Sequence, residues 1–375
     1  MKVFKLYLLP PLLFAAFFLF SVNCDIGTTY DSGEYEAAAM SFHSSGKLMG
    51  SKGNPYIDWP PLYPITLSLF SGHLHGFASC LNLFCLLASI ILWIRIAKNY
   101  LGEYLIFYAL LLSLSTSLLL IGSFLWSESL FLFLLSVYIW LLYEYSKNRS
   151  IKWLVWASLV GFFMLLTRTV GITLVGGVAL AFVVSGHEFG KKGRAMALIH
   201  FIIIASGLAG WLAYTGLFFK RDNIVSDLLF HTGIYENILT FSFEVSSWFI
   251  PNLQNSILSL FITAAVVAGI AVVYGVSDFF IKILMCSIAA YCSMFIFLSV
   301  NSSDMGRYMA VVYPTVLLLL FMALKKLISA RPSWKRPMLF VLILWMSYPL
   351  VRISYNALRF HQNNCRTPSS GLIKF

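Results

Sequence analysis

Charge is scarce in this chain. Only 11% of its 375 residues are Asp, Glu, Lys or Arg, against roughly 25% in a soluble globular protein. A soluble chain of this length buries a large core and needs a charged surface to cover it. With 59% apolar residues, a soluble fold is excluded. The apolar runs are long and lack period-2 alternation, which excludes an outer-membrane barrel. Cysteine is sparse as well: the six present show no metal-ligand spacing. Cys80, Cys85, Cys286 and Cys292 lie in apolar runs and are expected to pack as small hydrophobes. Cys24 and Cys365 could instead both face an oxidising compartment and pair. Gly/Ser linkers and internal repeats are missing, which weighs against a transporter built from inverted halves. The net charge of +11 does not point to nucleic acid here, because basic residues hold cytoplasmic loops in place.

What is present is a series of apolar segments, eleven in all, at about 4–22, 74–97, 104–122, 127–145, 152–167, 170–185, 196–219, 255–276, 279–299, 308–324 and 337–354. Most reach the ~20 residues a bilayer demands. The expected fold is therefore an all-α polytopic membrane bundle, one integral domain over residues 1–375. With the N-terminus inside, sixteen of the 26 Lys and Arg fall in inner loops, among them Arg149, Arg194, Lys282 and Lys335. Of the 15 acids, only Glu103, Glu144, Glu188 and Asp278 fall inside. This places the C-terminus outside. Lys2 and Lys5, the first apolar run and Asn23-Cys24 resemble a secretory or lipoprotein signal, but Asn is a poor cleavage residue and the run is read as a retained span.

Two outer loops stand out by length, residues 23–73 and 220–254, both with carboxylates, aromatics and prolines. In the first, Asp31 precedes a helix-like run and Glu34 follows three residues later. That spacing fits a capping box, and a carboxylate at a helix N-terminus is also oriented and kept ionised by the dipole. Downstream, Asn54-Pro55-Tyr56-Ile57-Asp58-Trp59-Pro60-Pro61-Leu62-Tyr63-Pro64 holds three prolines in five residues, which predicts a stiff extended path. Trp59 and Tyr63 suit an interfacial belt. In the second loop, Lys220-Arg221-Asp222, Asp227 and His231 lack tight ligand spacing, and Phe241, Phe243, Trp248 and Phe249 read as an interfacial helix. His73 and His75 flank a turn, and Asn301-Ser302-Ser303 matches a glycosylation acceptor.

An acid just after the first span, an amphipathic stretch and a Pro-Pro-Leu-Tyr-Pro return together resemble the GT-C membrane glycosyltransferases. More narrowly, the chain is similar to the branch of protein O-mannosyltransferases and lipid A aminoarabinose transferases. Trp126-Ser127-Glu128-Ser129-Leu130-Phe131, Leu165-Leu166-Thr167-Arg168-Thr169-Val170-Gly171, and Gly306-Arg307-Tyr308 through Tyr313-Pro314 fit the same pattern. The resemblance covers roughly residues 1–325. It departs from the relatives in a shorter chain and in Trp59, where aminoarabinose transferases carry Lys before the Pro-Pro pair. It implies outer loops with short helices over a cavity, a polyprenyl-phosphate sugar donor, and transfer with inversion to a hydroxyl of a lipid, glycan or protein acceptor. By position it makes Asp31 the catalytic carboxylate, with Glu34 beside it.

Such a transfer needs a base for the acceptor proton and bidentate cations for the leaving phosphate. Arg307 and Arg168 are the phosphate candidates; Asp58, Trp59, Tyr63 and Glu128 are the sugar and acceptor candidates. Two structural alternatives stand beside these roles, Arg168 pairing with Glu128 and Arg307 with Asp304. No cofactor is implied, although acids in the outer loops could take a divalent cation. A transporter or flippase of lipid-linked sugars, or a surface-polysaccharide polymerase or ligase, are the alternative functions. A bacterial inner membrane is the expected location.

Overall fold

The computed structural model describes residues 7–219, 233–250, 253, 255–274, 278–297 and 302–365. Among these, backbone polar groups are satisfied almost wholly within helices, as hydrocarbon requires. The described residues form no sheet, and the bridges among them are isolated ones between Gly27 and Phe124 and between Met49 and Pro55. The chain opens with α1 (Leu9–Ser21), then α2 (Tyr30–Ser45) and α3 (Leu62–Ser68) inside the first long loop. The bundle continues through α4 (Leu74–Leu101), α5 (Leu105–Ser113), α6 (Thr116–Gly122), α7 (Glu128–Asn148), α8 (Ile151–Leu165), α9 (Gly171–Val184) and α10 (Lys191–Phe219). It closes with α11 (Ile234–Ser247), α12 (Ser256–Tyr274), α13 (Phe279–Phe297), α14 (Ser302–Ala330) and α15 (Lys335–Cys365).

Every apolar segment read from the sequence is helical where described. By length and composition, 7 helical stretches can cross a membrane, while α1, α8 and α9 are apolar but shorter. The third segment is not one rod. Ser115 takes an extended backbone and accepts a hydrogen bond from the Leu118 N–H at 3.3 Å, so a new helix starts there. α7 and α14 run through the middle, with Phe131, Leu132, Leu142, Val312, Leu318 and Leu319 fully buried or nearly so. α12 and α15 show Ile257, Phe261, Phe340, Val341 and Leu344 at the outer surface, as helices facing lipid do.

The proline-rich return is less extended than its prolines suggest. Pro61 is already in the right-handed helical region, and α3 begins at Leu62 with Pro64 in its first turn. Pro is tolerated there because first-turn N–H groups have no intrahelical partner. The cysteine expectation also needs correcting at one position: Cys85 is buried, but Cys80 is exposed. Cys24 and Cys365 are joined in a disulfide. It ties the chain just after α1 to the end of α15.

The connections gather at two ends. At one, Gly27 donates its N–H to Ser123 O at 2.9 Å, Leu125 N–H reaches Gly27 O at 2.8 Å, and Leu62 N–H reaches Leu166 O at 2.9 Å. At the other, Tyr100 donates to Asp278 at 3.3 Å, and Glu188 accepts from Arg149 at 2.9 Å and Lys282 at 3.0 Å. The 21 residues of α7, at 1.5 Å each, separate these ends by roughly 30 Å.

Candidate active site

The first long loop enters α2 two residues earlier than the acid spacing suggested. Thr29 is the N-cap, and Ser32 Oγ accepts from the Thr29 N–H at 2.9 Å to complete a capping box. The capping reading of Asp31 and Glu34 is thereby overturned, because Ser32 is small enough to reach back and leaves both acids free to point elsewhere. Glu34 turns to the following loop, where its carboxylate accepts from the Ser51 N–H at 3.1 Å and from the Ser51 hydroxyl. Asp31 turns into the bundle.

There it meets residues from three other elements. Arg307, in the first turns of α14, donates from Nη2 to Asp31 Oδ2 at 3.0 Å, from Nη1 to Asp304 Oδ1 at 3.2 Å, and from Nε to Glu128 Oε1 at 2.8 Å. Arg168, in the break between α8 and α9, lies 2.6 Å from the same Glu128 Oε1 and donates to Ser127 Oγ at 3.2 Å. Both structural pairings read from the sequence, Arg168 with Glu128 and Arg307 with Asp304, are present. Asp31 joins them to one network.

Three carboxylates and two guanidiniums thus meet where α2, α7 and α14 begin. Each of Asp31, Glu128 and Asp304 sits in the first turn of its helix, where the macrodipole favours negative charge. Burial is graded: the Glu128 side chain is 1% exposed and Arg307 9%, while Asp31 is 23% and Asp304 38% exposed. Glu128 Oε1 takes contacts from both arginines, and Glu128 Oε2 is buried without a partner among the described residues.

Aromatic rings wall the cluster. The Arg307 guanidinium lies 3.9 Å from the Trp126 ring centre, and Arg168 lies 5.2 Å from that of Tyr308. Trp126 Nε1 donates to Thr29 Oγ1 at 2.8 Å, which ties the α7 entry to the α2 cap. Tyr35 pairs its hydroxyl with Ser127 Oγ at 3.1 Å. Burial pushes the Tyr35 phenol well above its ordinary value, so it remains a neutral hydrogen-bonding group. Tyr63 packs edge-on against Tyr35 at 5.0 Å, with Trp59 at 5.9 Å.

Of the residues singled out by sequence, Asp31, Glu128, Arg168 and Arg307 converge. Trp59 and Tyr63 pack behind them through Tyr35, Glu34 braces the loop through Ser51, and Asp58 lies exposed on that loop. Tyr63 is fully buried, which corrects its reading as an interfacial-belt residue. Sequence reasoning passed over Tyr35 and took His75 as a turn residue. His75 bridges Asp25 through Nδ1 at 2.9 Å and Glu36 through Nε2. Those carboxylates sit on opposite ring nitrogens, so they do not converge on one ion. Among the described residues, the group with metal-ligand geometry is Cys24, His361 and Cys365, whose two sulfurs are bonded to each other. Lys220, Arg221, Asp222, Asp227, His231 and Asn301 lie outside the described residues.

No protein-family model and no curated protein sequence matches the chain. Solved structures do. The chain superposes on ArnT from Cupriavidus metallidurans bound to undecaprenyl phosphate with a TM-score of 0.65 at 14% identity, covering 90% of this chain and 63% of that one. The two chains share a fold. The apo form of the same ArnT matches with a TM-score of 0.64 at 14% identity, covering 97% and 74%. The Archaeoglobus fulgidus oligosaccharyltransferase, in complex with Zn and sulfate, matches at 0.59 and 12% identity, covering 95% and 53%. The likeness is one of architecture, and the chain spans 63% of the length of the lipid-bound ArnT.

Proposed function

We propose that this protein is a glycosyltransferase that moves a sugar from a polyprenyl-phosphate donor to a hydroxyl acceptor, with inversion, on the outer face of a membrane. The observation that carries the reading is the meeting of Asp31, Glu128, Arg168 and Arg307, drawn from distant parts of the sequence, at one partly open point. Structural ion pairs also make buried clusters, but this one leaves selected atoms unengaged. Asp31 Oδ2 is held by Arg307 while Oδ1 has no partner among the described residues. That atom accepts the acceptor's proton as the acceptor oxygen attacks the anomeric carbon. The bond from that carbon to the phosphate oxygen breaks on the opposite face, which gives inversion.

Negative charge then grows on the leaving phosphate. Arg307 has three carboxylate partners for its five N–H groups, so its first role is to aim Asp31. Arg168 commits only Nη1, to Glu128 and Ser127, and its remaining donors suit the phosphate. Glu128 Oε2 can accept from a sugar hydroxyl, and Tyr63, Trp59 and Asp58 shape the loop above. The lipid-bound ArnT supports a polyprenyl-phosphate donor for a chain of this fold. The excess of Lys and Arg at the opposite end supports an outward-facing cluster, as in a bacterial inner membrane.

Asp31→Asn keeps the shape and loses the basic oxygen. Transfer from a polyprenyl-phosphate sugar by the purified variant should fall by about two to four orders of magnitude, with the melting temperature nearly unchanged. Near-normal turnover would end the proposal.

A further inference from the structure

A polar cavity of about 490 Å³ opens at the end of the bundle opposite the charged cluster, where α4, α7 and α13 meet the turn between α9 and α10. Tyr100, Tyr143 and Phe280 line it together with Lys147, Arg149 and Asp278. Glu128 stands at the start of α7 and this cavity at its finish. A cavity at the end of a membrane bundle lies at headgroup depth, where tyrosine gathers and charged side chains find water. Its volume falls within the usual range of small-molecule sites.

Arg149 ends α7 in the left-handed region, with φ at 54°, a conformation that helix ends usually give to Gly or Asn. Among the described residues it is the one non-glycine with positive φ. A strained residue that persists where glycine would be easier points to a use for its side chain. Its guanidinium lies 4.5 Å from the centres of the Phe189 and Phe279 rings and donates from Nη2 to Glu188 at 2.9 Å. Lys147 Nζ lies 3.8 Å from the Tyr143 ring centre and 3.5 Å from Glu144. Glu188 is shared with Lys282. Asp278 accepts from the Ile281 N–H at 2.9 Å and from the Tyr100 hydroxyl at 3.3 Å, but it pairs with no cation among the described residues. Lys147, Arg149 and Lys282 thus stand against Glu144, Glu188 and Asp278, and the charges balance. A ligand of one sign would leave the other sign uncompensated, whereas a zwitterion answers both. The Tyr100, Tyr143 and Phe280 rings, with centres 4.9 to 6.2 Å apart, and the Asp278 carboxylate suit an ammonium. Lys147 and Arg149 suit a phosphate.

We propose that this cavity seats an aminoethyl phosphate group, the headgroup of a phosphatidylethanolamine in the surrounding leaflet, with its ammonium at Asp278 and its phosphate at Lys147 and Arg149. Ile151, two residues past Arg149, is exposed and leaves apolar surface beside the cavity for an acyl chain. The site stands apart from the glycosyltransferase reading and does not depend on it.

The test titrates the delipidated full chain in detergent, read by native mass spectrometry, with phosphatidylethanolamine, phosphatidylcholine and phosphatidylglycerol of matched acyl chains. Phosphatidylethanolamine should bind roughly fivefold more tightly than either of the others. Choline offers Asp278 no N–H donor, and glycerol offers it no cation. Asp278→Asn retains an N-cap for α13 and should erase the preference. Arg149→Gly suits the left-handed backbone and should weaken phosphatidylethanolamine and phosphatidylglycerol alike. Equal affinity of the wild type for the three lipids would overturn the proposal, and so would an unchanged preference in Asp278→Asn. Soluble O-phosphoethanolamine should compete poorly. If it binds as tightly as the lipid, the occupant is a free phosphate ester and the lipid assignment falls.

Discussion

Glu128 Oε1 is the atom on which both arginines turn, 2.6 Å from Arg168 and 2.7 Å from Arg307 Nη2. Removing one member of a buried ion network leaves its partners charged and dry, which costs more than the network contributes. Glu128→Ala should therefore lower stability by roughly 3–5 kcal/mol, read as a large fall in melting temperature in detergent; a change below about 1 kcal/mol would mean that water reaches both guanidiniums. Asp304, at 38% side-chain exposure, has no such leverage. Part of this was legible in the sequence. Arg168 interrupts an apolar run and Arg307 opens one, and an isolated arginine near membrane depth demands a partner. The local spacing misled at Asp31 and Glu34, because Ser32 could serve the cap equally well and only the fold decides between them. Tyr35 gave no signal, since a tyrosine on an amphipathic stretch is indistinguishable from one that packs on the surface.

Helices α9 and α13 meet with almost no side chain between them. A Cβ placed on Gly177 would lie 2.4 Å from the Cys286 carbonyl oxygen and from the Ser287 Cα, and backbone cannot swing aside as a flexible side chain can. Small residues allow this approach in membrane bundles, where dispersion and polar contacts rather than the hydrophobic effect hold helices together. Gly177→Leu should force the pair apart and cost about 1–3 kcal/mol, while the exposed Gly176, with nothing near its would-be Cβ, should tolerate alanine. Equal melting temperatures for Gly177→Leu and Gly176→Ala would refute the close approach. Such pairings are hidden from hydropathy, which finds each helix but not its neighbour. The same reason conceals the break at Ser115: the flanking residues are apolar on both sides, and a serine cap inside a hydrophobic run looks like one more tolerated small polar residue.

The two ends of the bundle differ in chemistry. One gathers Asp31, Glu128, Asp304 and the Cys24–Cys365 disulfide; the other gathers Arg149, Lys282, Lys325 and Lys335 with their acid partners and carbonyls. Disulfides persist where thiols are not kept reduced and short inner loops are rich in Lys and Arg, so the proposed outward-facing cluster is the arrangement on which the two would agree. Hydropathy located the apolar helices, but it carried no information on which two cysteines, 341 residues apart, would meet. That pairing arises because α1 and α15 pack together at the bundle's edge and finish level with one another. The expected outcome, in cells with an intact oxidative pathway, is a linked Cys24–Cys365 peptide after non-reducing digestion and mass spectrometry. Reduction should then lower stability by about 2–4 kcal/mol and loosen α15 before the rest of the bundle, read as faster backbone hydrogen exchange across residues 348–365. Free thiols at both positions would put the cysteines at odds with the distribution of Lys and Arg. In that case the charged cluster would face the reducing side, and a donor delivered to the outer leaflet could not reach Asp31.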